Sequence, residues 1–156
     1  MIIMAIDPGT RCSGFCIVDS ENMQPKGFGK EINDYLSRIL RLGVYDAVVI
    51  ERVASMGLPV GAEVFETCEW VGRFSQIAED KGFPVHYVYR KDEKMTICGS
   101  MKATDATIRR ALIDRYAQHD KRTGKGTKGN PDWFYGFKKD IWAAFAVAET
   151  WKEMEG

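Results

Sequence analysis

Soft-metal ligands and disulfide partners are scarce in this chain. Its four cysteines, Cys12, Cys16, Cys68 and Cys98, form no C-x-x-C pair, and only two histidines accompany them. Neither a zinc site nor a disulfide framework is expected, and the thiols read as buried and reduced. No apolar run approaches the span of a bilayer, and a basic segment of the kind that opens a secretory leader is missing from the N-terminus, so a soluble cytoplasmic protein is expected. Internal repeats are absent. Net charge is absent too, with 22 basic and 22 acidic residues, which by itself argues neither for nor against a polyanionic partner. At 156 residues and 45% hydrophobic, the chain can bury one good core, and a single domain over residues 1–156 is expected.

The distribution of charge says more than its sum. From Lys102 to Lys139 ten Lys and Arg face four acids, a local excess of +6, which leaves −6 on the remainder. An acidic body with a basic segment suits a protein that handles nucleic acid around a metal site, and equally a solvated helix face followed by a loop.

Punctuation by Gly and Pro organises the chain. Residues 1–7 and 13–19 read as a hairpin, and Gln24 to Gly29 as a third short strand. The spacing of Ile32, Leu36, Ile39 and Leu40 predicts a helix over 31–42. Val44 to Ile50 reads as a strand, 62–81 as a helix stopped by Gly82-Phe83-Pro84, and Val85 to Tyr89 as a fifth strand. Helices are predicted over 104–118 and 138–153, separated by a segment, His119 to Tyr135, too rich in Gly and Lys for regular structure. A hairpin-rich start followed by alternating helices and strands implies one mixed sheet with helices on its faces.

Carboxylates stand at the ends of the buried elements. The apolar run Ile2 to Ile6 ends in Asp7, before Pro8-Gly9-Thr10; Val48-Val49-Ile50 ends in Glu51; Asp140 opens the apolar C-terminal helix. A charge at the tip of a buried strand must be paired or hold a metal. Asp140 also suits the dipole of its own helix. Converging at one sheet edge, the three would offer hard oxygen ligands to Mg2+, which needs few protein carboxylates when substrate phosphate completes its shell. Two such ions can activate water and stabilise a leaving oxygen in phosphodiester hydrolysis.

Ile-Asp7-Pro-Gly-Thr-x-x-x-Gly14-Phe, Val-Val-Ile-Glu51, and Asp140 followed by Ala144-Phe-Ala-Val-Ala148 together resemble the RuvC-type Holliday junction resolvases of the ribonuclease H-like superfamily. The likeness extends over most of the chain. Asp-Pro-Gly-Thr alone is unspecific, since sugar kinases and related ATPases open similarly, but those proteins need two copies of such a domain. Lys94 to Ile108 resembles the family's basic, glycine-containing turn into a helix, which faces DNA. The resemblance implies a five-stranded mixed sheet flanked by helices, a homodimer, and paired nicking of four-way junctions with Mg2+, for which Mn2+ substitutes. It also implies metal-binding and catalytic roles for Asp7, Glu51 and Asp140. The Lys-Gly-rich loop and Asn130-Pro-Asp-Trp-Phe-Tyr-Gly136 resemble bacteriophage members, which would place the protein in a host's cytoplasm.

The resemblance breaks at one position. The family's last helix carries a second aspartate three residues after the first, on the same face, and here that position is Ala143. Either three acids suffice, or a lost ligand leaves a protein that binds junctions without cleaving them. A ribonuclease H-like nuclease on RNA or RNA/DNA hybrid is the other alternative. Lys94, Lys102, Arg109, Lys121, Arg122, Lys125, Lys128, Lys138 and Lys139 are the expected phosphate partners. Trp133, Phe134 and Tyr135 either stack on bases or anchor their loop. Met56 or Leu58 would be an apolar wedge into the junction, or part of a dimer contact or a plain loop. Val64, Phe65, Cys68, Val71, Gly72 and Ser75 share a helix face that packs on the sheet, with a spare edge for a dimer contact. His86 and His119 read as core or surface residues.

Overall fold

A computed structural model of the chain describes residues 1–55, 57 and 59–155; the expected wedge residues Met56 and Leu58 lie outside them. Five strands form one sheet: β1 (Ile2–Asp7), β2 (Cys12–Asp19), β3 (Gln24–Ile32), β4 (Ala47–Glu51) and β5 (Val85–Val88). Their spatial order is β3-β2-β1-β4-β5. β1, β2 and β3 pair antiparallel, whereas β4 and β5 extend the sheet parallel to β1. Helices α1 (Asn33–Leu42) and α2 (Ala62–Asp80) cover one face. The other carries a short helix α3 (Arg90–Glu93) running into a π-helical turn (Lys94–Cys98), then α4 (Asp105–Tyr116) and α5 (Lys139–Glu155). The expected five-stranded mixed sheet flanked by helices is the observed architecture.

Two-residue alternation sorts the side chains between these faces. Met4 and Ile6 of β1 and Val48 and Ile50 of β4 pack under α1 and α2 with Leu36, Leu40 and Phe74. Ile3 and Ala5, Ala47 and Val49, and Cys16 and Val18 pack under α5. The same parity puts Asp7, Glu51 and Gly14 on the α5 face. In α5 the buried small residues Ala144 and Ala148 stand one turn apart on the same face, so the helix settles close to the sheet. Among the described residues no helix is long and apolar enough to cross a membrane.

Local chemistry moves several boundaries. β3 continues to Ile32, whose side chain is 56% exposed, so the predicted helix start at 31 is two residues early. Buried Asn33 fixes the transition: its amide donates to the Gly9 carbonyl, its carbonyl oxygen accepts from the Ser13 hydroxyl, and its backbone N–H donates to Arg11. β4 begins at Ala47, leaving Val44 exposed. In α2 only the C-terminal half packs, through Val71, Phe74, Ser75 and Ala78; Phe65, Cys68 and Gly72 are exposed. The expectation of buried thiols holds for Cys16 alone: Cys68, on the unpacked half of α2, is exposed, and Cys12 and Cys98 are intermediate. Arg90–Glu93, for which no element was expected, is helical, and Lys94–Cys98, within the expected basic turn, is a π-helical turn.

The segment 119–135 is more regular than its composition suggests, because two aspartates organise its backbone. Strands β6 (Gly126–Thr127) and β7 (Asn130–Pro131) pair antiparallel. The Thr123 hydroxyl, with the amides of Thr123, Gly126 and Arg122, holds the Asp120 carboxyl well below the usual carboxylate range. Asp132, against the cost of its desolvation, is pulled down by backbone N–H donors of Gln118, His119, Asp120 and Trp133. Trp133 donates to the Met23 carbonyl at 3.1 Å and stacks on Tyr116, while Phe134 is fully buried against Phe137, Trp142 and Phe145. These two anchor the loop and are not free to stack on bases; Tyr135 is exposed. His86 packs against Trp151, and His119 approaches the Pro131 carbonyl. Truncating such a buried ring leaves a cavity, so Phe134→Ala is expected to lower stability by about 3–5 kcal/mol in urea unfolding. A loss below about 1 kcal/mol would show that the loop is not held this way.

Candidate functional site

Sheet register assembles the site. Asp7 of β1 lies opposite Gly14 of β2, and Gly14 opposite Lys30 of β3. On the other side, the parallel register that pairs Ile6 with Ile50 leads directly to Asp7 and Glu51 at the next level. Lys30, Gly14, Asp7 and Glu51 therefore form one row across four strands, at the edge where the chain leaves the sheet. Gly14 has no side chain, and this admits the first turn of α5. A Cβ there would overlap the Asp140 carbonyl oxygen and stand 3.0 Å from the Asp140 Cβ. Asp140 enters the row from above through that gap, and its Oδ2 lies 2.9 Å from Lys30 Nζ.

The carboxylates of this row border a pocket of about 240 Å³ between the sheet edge and the starts of α4 and α5. Asp7, Glu51 and Asp140 line it together with Arg90, Asp105, Arg109, Lys139 and Ala143. The three carboxylates singled out in the sequence thus converge. Of the nine expected phosphate partners, Arg109 and Lys139 line the pocket. Arg109 lies over the Trp142 ring at 5.6 Å, with its buried Nε lacking a hydrogen-bond partner. The others lie outside it. Lys94 is half-buried in the π-helical turn, Lys102 is exposed ahead of α4, and Lys138 is exposed beside Lys139. Lys121, Arg122, Lys125 and Lys128 ride on the aspartate-organised loop, where Arg110 of α4 binds the backbone carbonyls of Lys121 and Arg122.

Four functional groups escaped sequence reading: Lys30, Arg90, Glu93 and Asp105. Glu93 sits in the charged run Arg90-Lys-Asp-Glu-Lys, which looks like a solvated face, yet it is fully buried. Arg90 binds it at 3.4 Å and also pairs with Asp105. The detectable signal was positional: Arg90 follows β5, the strand that pairs with β4 beside Glu51. Lys30 depends on a hairpin register that a bulge shifts, and for Glu93 no sequence feature distinguished it.

The electrostatics are those of crowded like charges. Burial, then the charges of Glu51 and Asp140, push the Asp7 carboxyl up to about 7, with Arg90 opposing. Burial and the adjacent Glu51 push Glu93 up as well, and its Oε2 has no partner. Hard oxygen donors of the same charge facing one pocket, one of them orphaned and buried nearby, suit a hard divalent cation. Asp7, Glu51 and Asp140 would hold it. Among the described residues, no three His, Cys, Asp or Glu side chains already stand arranged around an ion position. Lys30 and Arg90 compensate the carboxylates instead, and Ala143 contributes no oxygen.

The Asp7 shift carries a pH dependence. In the unfolded chain this carboxyl releases its proton near the ordinary 3.8; in the folded chain it holds it to about 7. Its stabilising contribution is complete below the lower value and is lost as pH rises through the upper one, on the order of 4 kcal/mol in all. Metal-free protein should melt at a lower temperature at pH 8 than at pH 5, through Asp7 and Glu93 together, and Asp7→Asn should reduce that difference. An unchanged pH profile in Asp7→Asn would contradict the assignment.

No protein-family model and no curated protein matches the sequence. Solved structures do. Thermus thermophilus RuvC in complex with a Holliday junction substrate superposes with a TM-score of 0.70 at 14% identity, over 99% of this chain and 94% of that one. Thermus thermophilus RuvC in another structure gives 0.69 at 16% identity, over 99% and 95%. The yeast mitochondrial Holliday junction resolvase gives 0.59 at 14% identity, over 97% and 77%. With its five-stranded mixed sheet and flanking helices, the chain has the ribonuclease H-like fold of the RuvC-type Holliday junction resolvases.

Proposed function

We propose that this protein is a structure-specific DNA endonuclease that resolves four-way junctions and related branched DNA by paired nicks. The observation that carries the reading is the convergence of Asp7, Glu51 and Asp140 at one pocket, in a chain whose fold is that of a RuvC bound to a Holliday junction. Mg2+ is the proposed cofactor, with Mn2+ able to replace it. When bound, such ions would activate the attacking water and neutralise charge on the phosphate.

The chain's own groups have separate tasks. Oxygens of Asp7, Glu51 and Asp140 would hold the cation, with the proton that burial and its neighbours make the Asp7 carboxyl keep released to solvent. Arg109 and Lys139, at the pocket without an acidic partner in the described ion pairs, bind phosphate oxygens beside the reacting bond. Glu93 and Asp105 fix the Arg90 guanidinium from two sides. Lys94, Lys102, Lys121, Arg122, Lys125, Lys128 and Lys138 supply the more distant backbone contacts, which makes binding salt-dependent. A junction with paired scissile strands calls for two copies of the site. The exposed Phe65, at 60%, and Val60 near the start of α2 support a homodimer through that region. A phage-encoded member of the group remains the reading of the Lys-Gly loop.

Ala143, which lines the same pocket, supports a second reading, a junction-binding protein that does not cleave. Four-way, forked and linear DNA offered with Mg2+ and with Mn2+ separates the two. The nuclease reading expects tightest binding and symmetric nicking of the four-way form, and at least about tenfold faster nicking by Ala143→Asp, equivalent to ~1.4 kcal/mol at the transition state. Absence of nicking by both proteins would leave the binding role. Equal affinity for all three DNAs would remove junction specificity from either reading.

A further inference from the structure

Lys30 has an arrangement that none of the other cations at the site shares. It occupies β3 in register with Gly14 and, through it, with Asp7, and its ammonium sits 2.9 Å from an oxygen of Asp140, a proposed cation ligand. Arg90 is tied to Glu93 and Asp105 instead. Lys30 is 56% exposed, on a flexible four-carbon stem with rotatable donors. A pair this open to water is weak, so a divalent cation competes effectively for the same carboxylate. Such an exchange would release a solvent-exposed lysine ammonium beside Asp140, a residue that lines the pocket.

We infer that Lys30 is an exchangeable internal cation of this site: it positions the Asp140 carboxylate over the row until a divalent ion takes it, and the released ammonium then contacts a DNA phosphate. No bond is made or broken in the exchange; one ion pair replaces another. The inference rests on the nuclease reading only for the identity of the phosphate. The competition for Asp140 stands on geometry alone.

Calcium, a hard cation with the same preference for oxygen ligands, serves as the probe in two measurements on the wild-type chain, Lys30→Gln and Lys30→Arg. Calorimetric titration of Ca2+ without DNA should show about threefold tighter binding to Lys30→Gln, because its competitor is gone, and wild-type affinity for Lys30→Arg. Binding to a four-way junction as a function of salt should then show a slope smaller by about 0.9 per protomer for Lys30→Gln with Ca2+, and an unchanged slope in EDTA, where Lys30 is engaged with Asp140. A purely structural lysine would not change the slope only when calcium is present. Unchanged or weaker Ca2+ binding by Lys30→Gln would overturn the exchange. An identical slope in Ca2+, or no binding of DNA at all, would overturn the phosphate contact. Loss of junction preference with the calcium effect intact would count against the nuclease reading and not against the competition at Asp140.

Discussion

The site depends on a contact between backbones. Gly14 lies directly beneath the first turn of α5, so close that a single added methyl would overlap the Asp140 carbonyl. The small residues Ala144 and Ala148, one turn apart on the helix face that follows from Asp140, let the rest of the helix lie down on β1 and β2. Because β1 pairs with β2 through Asp7 and Gly14, the gap that receives the helix adjoins the carboxylate at the end of the central strand. Packing and chemistry therefore share one constraint. A larger residue at position 14 would lift the element that carries Asp140 away from Asp7 and Glu51.

Bringing those acids together creates an electrostatic cost that the fold meets in three ways. Asp7 retains a proton near neutrality. Glu93, wholly buried beside Glu51, is pushed toward its neutral form. Lys30 and Arg90 supply positive charge from opposite ends of the row. Each of these is reversible, and each would be relieved by the divalent cation proposed above. The pocket also has an uneven character: carboxylates crowd the sheet edge, whereas the α5 wall presents Ala143 and the α4 wall presents Arg109. Charge on a bound phosphate would meet cationic side chains on that side and oxygen ligands on the other.

Much of this was legible from residue order. Apolar runs ending in Asp7 and Glu51 located two strand tips, and period-two alternation fixed the face on which both carboxylates lie. Asp140 followed from the small, apolar helix behind it. Lys30 was not legible, because its place depends on the hairpin register, which shifts at a bulge between Ile17 and Val18. Glu93 was hidden for a different reason: a glutamate among Arg, Lys and Asp reads as solvated, and only the packing of α3 against α5 and the sheet buries it. The loop after His119 misled in the opposite direction. Its glycines and lysines signal irregular chain, while Asp120 and Asp132 satisfy enough backbone donors to build an ordered hairpin from it.

The fold is shared with RuvC in complex with a Holliday junction substrate, and under the function proposed above the Gly14 contact holds the oxygens of the acidic pocket where they would meet a divalent cation. The most direct measurement is a Mn2+ titration of the wild-type chain beside Gly14→Ala, with circular dichroism to confirm that the variant stays folded. The wild-type chain should bind Mn2+, and Gly14→Ala should bind it at least about tenfold more weakly, ~1.4 kcal/mol. Equal Mn2+ affinity in the two folded proteins would contradict the account.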